Sequence, residues 1–131
     1  MPYFRISQAA GLLGVSDDTV RRWVDRGSLP AERDEAGRLV VDGVELARVA
    51  QAAADTPTPG GRSSARNRFT GLVTRVVRDT VMAQVDVQAG PFRMVALVSA
   101  EAVDDLRLEP GSLVVCTVKA TNLGLEVPDA D

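Results

Sequence analysis

Apolar residues recur at three-and-four spacing in the front of the chain and at alternate positions in the back. That switch divides the chain, because the first period lines one face of a helix and the second one face of a strand. Ser7 is placed to cap a first helix whose apolar side is Ala9, Leu12 and Leu13, broken at Gly14-Val15. Ser16 caps a second, with Asp17 and Asp18 at the positive end of its dipole. Val20, Trp23 and Val24 form its buried stripe, and Gly27 followed by Pro30 ends it. Arg33 to Val41 reads as a short hairpin turning near Glu35-Ala36-Gly37. Asp42 and Glu45 have capping-box spacing for a third helix lined by Leu46, Val49, Ala50 and Ala53.

The stretch Asp55-Thr56-Pro57-Thr58-Pro59-Gly60-Gly61-Arg62 suits neither helix nor central strand and marks a linker, 55–63, between residues 1–54 and 64–128. Beyond it, Phe69 to Arg78 and Val81 to Val87 predict paired strands that turn at Arg78-Asp79-Thr80, with Val81, Ala83, Val85 and Val87 on one face. Phe92 to Val98 follows the Gly90-Pro91 turn as a third strand. Ser99 caps a short helix through Leu106, and Glu109-Pro110-Gly111-Ser112 turns the chain into strands Leu113 to Lys119 and Leu123 to Val127. The expected fold is therefore two small domains: an N-terminal all-α winged helix-turn-helix, and a C-terminal five-stranded β-barrel of the oligonucleotide/oligosaccharide-binding kind with one short helix.

Composition narrows the chemistry. The 131 residues contain no histidine and one cysteine, Cys116, placed in a strand pattern where it serves as a small hydrophobe. Without the commonest general base and metal ligand, and with no nucleophile-base arrangement, an enzyme is not expected, nor is a metal held directly by protein side chains. No apolar run reaches membrane-spanning length and the N-terminus lacks a secretory pattern, so a cytoplasmic protein is expected. Domains this small bury little surface alone, which favours oligomers. The net charge is −3. Both halves are near balance, so any contact with nucleic acid must come from locally grouped arginines rather than a basic footprint.

Such a group lies on the second helix, where Thr19, Arg21, Arg22 and Arg26 point away from the apolar stripe, with Arg38 on the hairpin's return strand. Guanidinium forks suit phosphate oxygens and guanine edges alike. Their alternative is pairing with Asp17, Asp18 or Asp25. The run Ile6-Ser7-Gln8-Ala9-Ala10, Gly14-Val15-Ser16, Thr19-Val20-Arg21-Arg22-Trp23 and Gly27-Ser28-Leu29-Pro30 resembles the winged helix-turn-helix of MerR-type regulators and phage excisionases. That resemblance implies DNA contact through Thr19, Arg21, Arg22 and Arg38. No long coiled-coil helix follows the wing, which brings the chain nearer to the excisionase version.

The back half opens with Ser64-Ala65-Arg66-Asn67-Arg68-Phe69-Thr70-Gly71, and from about Ser63 to Val127 it resembles the molbindin (Mop, or TOBE) family of molybdate-binding domains. The resemblance implies an oxyanion site at Ser64, Ala65 and Arg66 in the opening motif, Ser99 and Ala100 after the third strand, and Lys119 and Ala120 after the fourth. It further implies that the anion lies between two subunits, with the opening motif from one and the lysine and hydroxyl region from the other, and that single-copy proteins assemble as dimers or as hexamers built of three dimers. These donor types fit the ligand: molybdate, or tungstate, is a tetrahedral dianion offering only acceptors, so hydroxyls, amides, arginine and lysine match it and carboxylates do not. Asn67 is expected to brace the turn rather than touch the ligand. Read one by one, the same residues are a helix cap, a solvated arginine and a lysine guarding a strand end.

Together these features point to a cytoplasmic, molybdate-responsive regulator that binds double-stranded DNA as a homo-oligomer. A molybdate or tungstate storage oligomer whose helix-turn-helix is not a DNA reader stands beside that reading. So does an architectural DNA binder whose barrel only oligomerises.

Overall fold

The computed structural model describes residues 2–54 and 63–129, and the chain divides into two compact units, Met1–Thr56 and Pro57–Asp131. The linker segment from Asp55 to Arg62 lies outside the described residues.

The first unit runs β1 (Tyr3–Arg5), α1 (Ile6–Leu13), α2 (Asp17–Asp25), β2 (Ala31–Arg33), β3 (Leu39–Asp42) and α3 (Gly43–Ala53). It is not all-α: β1 joins the expected hairpin in a three-stranded antiparallel sheet of order β1-β3-β2. Three residues are too few to reveal a strand period, and β1 is held by pairing with β3 from far along the chain, helped by the Gly43 amide donating to the Pro2 carbonyl at 2.9 Å. Helix α1 also begins two residues early, so Ser7 lies inside it and Arg5 takes the cap position. Its buried side is Ile6, Ala9 and Ala10, whereas Leu12 faces solvent. Ser16 and Asp42 cap as their side chains allow, accepting from the amides of Thr19 and Val44. Glu45 turns instead to Arg48, 2.6 Å away. The helices close over Val20, Leu29, Val41 and Leu46, with Trp23 and Val24 packed against that core.

The second unit contains β4 (Asn67–Arg78), β5 (Met82–Ala89), β6 (Phe92–Ser99), α4 (Ala100–Leu106), β7 (Leu113–Val118) and a short 3-10 helix at Ala120–Asn122. Its antiparallel sheet has the order β6-β5-β4-β7. The twelve-residue β4 is the spine: Asn67 to Leu72 pair with β7, and Leu72 to Arg78 pair with β5, with the register shifting between Val73 and Arg75. Alternate residues of β5 turn inward as a strand's period requires, and Ala83, Val85 and Val87 pack with Val73 and Val103. Val81 precedes the strand and is exposed; Asp79 accepts from its amide and from that of Met82 to build the turn. Helix α4 is tied to the end of β4 by Arg78, which grips Asp104 at 2.6 Å and holds that carboxyl below the usual range.

Two expectations fail in this unit. Leu123 to Val127 do not form a fifth strand, and among the described residues the sheet is not closed into a barrel, since β6 and β7 each have one neighbour. The segment has a strand's alternation, but it pairs with neither free edge of its own sheet.

Gly71 marks the tightest approach, where a Cβ would lie 2.6 Å from Val87 Cγ1 and 2.7 Å from the Gln88 carbonyl oxygen. Gly71→Ala is therefore expected to lower stability by about 1–3 kcal/mol through overpacking. Urea unfolding of the two proteins measures it, and an unchanged midpoint would contradict this packing.

Candidate oxyanion site and DNA-reading surface

On α2, a turn advances 3.6 residues, which centres Asp18 and Asp25 on the exposed face and flanks them with Arg21 and Arg22. Arg21, Arg22 and Arg26 are all exposed, and among the described residues none is in an ion pair with Asp17, Asp18 or Asp25. Their forks are free to meet a partner. Thr19 is less available: it is half-buried, and its hydroxyl lies 2.9 Å from the Ser16 hydroxyl within the cap.

The hairpin turn is built around Asp34, whose Oδ1 accepts from the amides of Ala36 and Arg38, both at 2.9 Å. Its Oδ2 takes the Arg38 Nε at 3.2 Å, and the Arg38 bonds hold the Asp34 carboxyl below its ordinary range. Arg38 thus needs to leave Asp34, or share it, to reach a phosphate. Arg5 and Arg33, which sequence reasoning did not single out, line an open cleft with Arg38, Tyr3 and Gln8. A three-residue strand offered no signal for Arg5.

In the second unit, the register decides which of the expected oxyanion ligands meet. Asn67 pairs with Val118, so Arg66 and Lys119 are the next two positions beyond the ladder, one entering β4 and the other leaving β7. The opening motif and the Lys119-Ala120 pair thus flank the same sheet end in a single chain. Asn67 braces this end by donating from Nδ2 to the Val118 carbonyl at 3.0 Å, and Ser63 accepts the Ala65 amide at 3.1 Å. Ser64, Arg66 and Lys119 are exposed, Ala65 is half-buried, and neither cation has an ion-pair partner among the described residues.

Ser99 and Ala100 lie elsewhere. Ser99 pairs with Met82 at the far end of the sheet, where β4 finishes at Arg78. The path along β4 between the two ends is about 36 Å at a strand's ~3.3 Å rise. One chain does not bring all seven residues together. At its own end, Ser99 Oγ accepts the Ala102 amide at 3.0 Å, which caps α4 and leaves the hydroxyl proton free to donate. Ala100 is buried and its amide is already spent on the Val81 carbonyl at 2.8 Å, so it supports the site without offering a donor. The open cleft beside α4 is lined by Arg78, Asp104, Arg107 and Glu109, and none of the expected ligands contributes to it. Among the described residues no cluster of His, Cys, Asp and Glu could hold a metal ion, and no helix is long and apolar enough to cross a membrane.

Comparison with known proteins places both units. Residues 3–54 match the model of a helix-turn-helix domain, and residues 63–125 match that of the TOBE domain. A molybdate binding protein from Sporomusa ovata is 33% identical over 50% of this chain and 98% of its own, with a TM-score of 0.49. Residues 63–125 are a TOBE domain by that match. MopII from Clostridium pasteurianum is 25% identical over 50% of the chain and 100% of its own length, with a TM-score of 0.48. ModG, described as a cytoplasmic molybdate-binding protein and solved with molybdate bound, is 36% identical over 56% of the chain, with a TM-score of 0.50; the chain spans 52% of it. No curated protein matches. Within this TOBE unit, the family match begins at Ser63 and so takes in the opening motif, both sheet ends and the 3-10 helix.

Ser99 caps α4 in the TOBE unit, and that cap leaves its hydroxyl proton unused. Ser99→Ala removes the α4 cap and is expected to cost about 1 kcal/mol of stability, whereas Ser99→Asp, an equally good cap, retains it. Chemical denaturation of both variants tests this, and equal losses would show that the hydroxyl does not cap.

Proposed function

We propose that this protein is a molybdate-responsive DNA-binding regulator, not an enzyme. Residues 1–54 read DNA, and residues 64–128 bind the oxyanion. The observation that carries the reading is the register that brings Arg66 and Lys119 to the same end of the sheet, without ion-pair partners among the described residues, in a unit similar to ModG, which is described as molybdate-binding.

The proposed site joins Ser64, Ala65, Arg66, Lys119 and Ala120 of one chain to Ser99 and Ala100 of another. This grouping follows the register and differs from the division between subunits that the family resemblance implied. Two cations balance the dianion, and the Ser64 and Ser99 hydroxyls donate to its oxygens. Every proposed side chain in direct contact is a donor, so protonated oxyanions such as monohydrogen phosphate leave their own proton unmatched and bind less well. Tungstate offers the same acceptors and binds the same site. Dimers, or hexamers of three dimers, supply complete sites and also the paired helix-turn-helix units that a two-fold operator needs.

On the DNA side, Arg21, Arg22 and Arg26 provide the principal contacts. Arg38 joins them from the hairpin, and Thr19 contributes through its place at the start of α2. Ligand control of DNA binding requires that molybdate favour one arrangement of the paired readers, and its influence is bounded by its differential affinity for the two.

A second reading, a molybdate store with a protein-docking helix-turn-helix, draws on the two aspartates at the centre of the α2 face. Mobility-shift assays at several salt concentrations, with and without molybdate, separate the readings. The regulator binds DNA with an affinity that molybdate changes, and a store ignores DNA. Calorimetry is expected to show that Arg66→Ala or Lys119→Ala weakens molybdate binding by about tenfold to a hundredfold, the worth of one charged hydrogen bond. Undiminished affinity in both variants would reject the site.

A further inference from the structure

Besides Arg66 and Lys119, the same end of the sheet carries a third cation. Phe69 faces Cys116 across the ladder with β7, and Cys116 packs against the core, so Arg68, Thr70 and Leu72 turn to the outer face of β4. Arg68 pairs with Thr117, one step inside the pair Asn67 and Val118. The same alternation, carried one residue past the ladder, gives Arg66 and Lys119 that outer face as well. Two strand residues, about 7 Å, separate Arg68 from Arg66. Arg68 is half-buried and takes part in no ion pair among the described residues, and neither β4 nor β7 contains a carboxylate. The other arginines of this face are matched: Arg93 holds Asp86 at 2.7 Å, and Arg75 stands opposite Asp86 in the register.

We propose that Arg68 is a further cation of the oxyanion site, acting on the ligand through its charge rather than by contact, and that it makes the site favour doubly over singly charged oxyanions of the same shape. The inference rests on the oxyanion site proposed above. There Ser64, Arg66, Lys119 and the Ser99 of a second chain match the four oxygens of the anion in number, which leaves Arg68 no oxygen of its own. Its charge reaches further than its hydrogen bonds. In water, a unit charge about 7–10 Å away changes the affinity of a dianion about threefold to tenfold. A monoanion feels half as much on the logarithmic scale, about twofold to threefold. Donors matched to four oxygens serve both anions alike, whereas the field of Arg68 distinguishes them. Pairing with Thr117 in the ladder keeps the backbone at Arg68 in place before the ligand arrives, so little ordering is needed on binding.

Calorimetry on the full chain at low ionic strength tests this, with molybdate titrated directly and perrhenate, a tetrahedral oxyanion of one charge, read by competition. Arg68→Gln should weaken molybdate about threefold to tenfold and perrhenate about twofold to threefold, and Arg68→Lys should restore both. In about 1 M sodium chloride, where the screening length falls to about 3 Å, Arg68→Gln and the unaltered protein should bind molybdate alike. Should Arg68→Gln fail to fold, Thr117→Lys carries the test: a cation at the opposite position should tighten molybdate by a similar factor. An undiminished affinity in Arg68→Gln, equal losses for the two anions, no recovery in Arg68→Lys or no gain in Thr117→Lys overturns the proposal. Weakening by Arg66→Ala with none by Arg68→Gln overturns the part given to Arg68 alone, and indifference to both overturns the site together with it.

Discussion

The pairing of β4 governs the C-terminal unit. Because one strand serves β7 with its first half and β5 with its second, the sheet holds two sets of hydrogen-bond donors at opposite ends. The close approach at Gly71 and the register shift after Val73 belong to this change of partner midway. Hydrogen bonding fixes which residues share an end: Arg66 with Lys119, and Ser99 with the turn before β5. A tetrahedral dianion is only a few ångströms across and cannot span the sheet. In the proposed site, the need for a second chain follows from backbone pairing and ligand size together.

The same economy recurs in smaller features. Ser99 accepts a helix amide and keeps its proton for another partner, so in the proposed site a structural cap and a ligand donor occupy one hydroxyl. Asp34 organises the hairpin through two backbone amides while restraining Arg38. In the proposed regulator, restraint of this sort lowers the entropy lost when a side chain meets phosphate, provided the ion pair yields. On α2 the cations have no ion-pair partner among the described residues, and in the proposed regulator the aspartates between them oppose indiscriminate attraction to nucleic acid.

Much of this was legible in the residues. The caps at Ser16, Asp42 and Ser99, the hairpin at Asp34–Gly37 and the inward row of β5 all follow from local rules that need no distant partner. Features set by distant pairing were not legible. Tyr3–Arg5 is a strand only because β3 lies beside it, and the Ala100 amide is unavailable only because the Val81 carbonyl faces it. Leu123–Val127 carries a readable strand pattern, but alternation alone does not make a strand without a partner to pair with. For the proposed site, residue types and order come from the family motif alone, whereas the separation of its two halves along the sheet emerged only from the register.

Subunit mixing tests the two-chain site most directly. Arg66→Ala and Ser99→Asp proteins, each deficient in molybdate binding, should recover on mixing and exchange, because a heterodimer pairs the intact Arg66 end of one chain with the intact Ser99 end of the other. Titration calorimetry should then find one restored site in each heterodimer. Absence of any recovery after exchange is verified by mass spectrometry would contradict a site shared between chains.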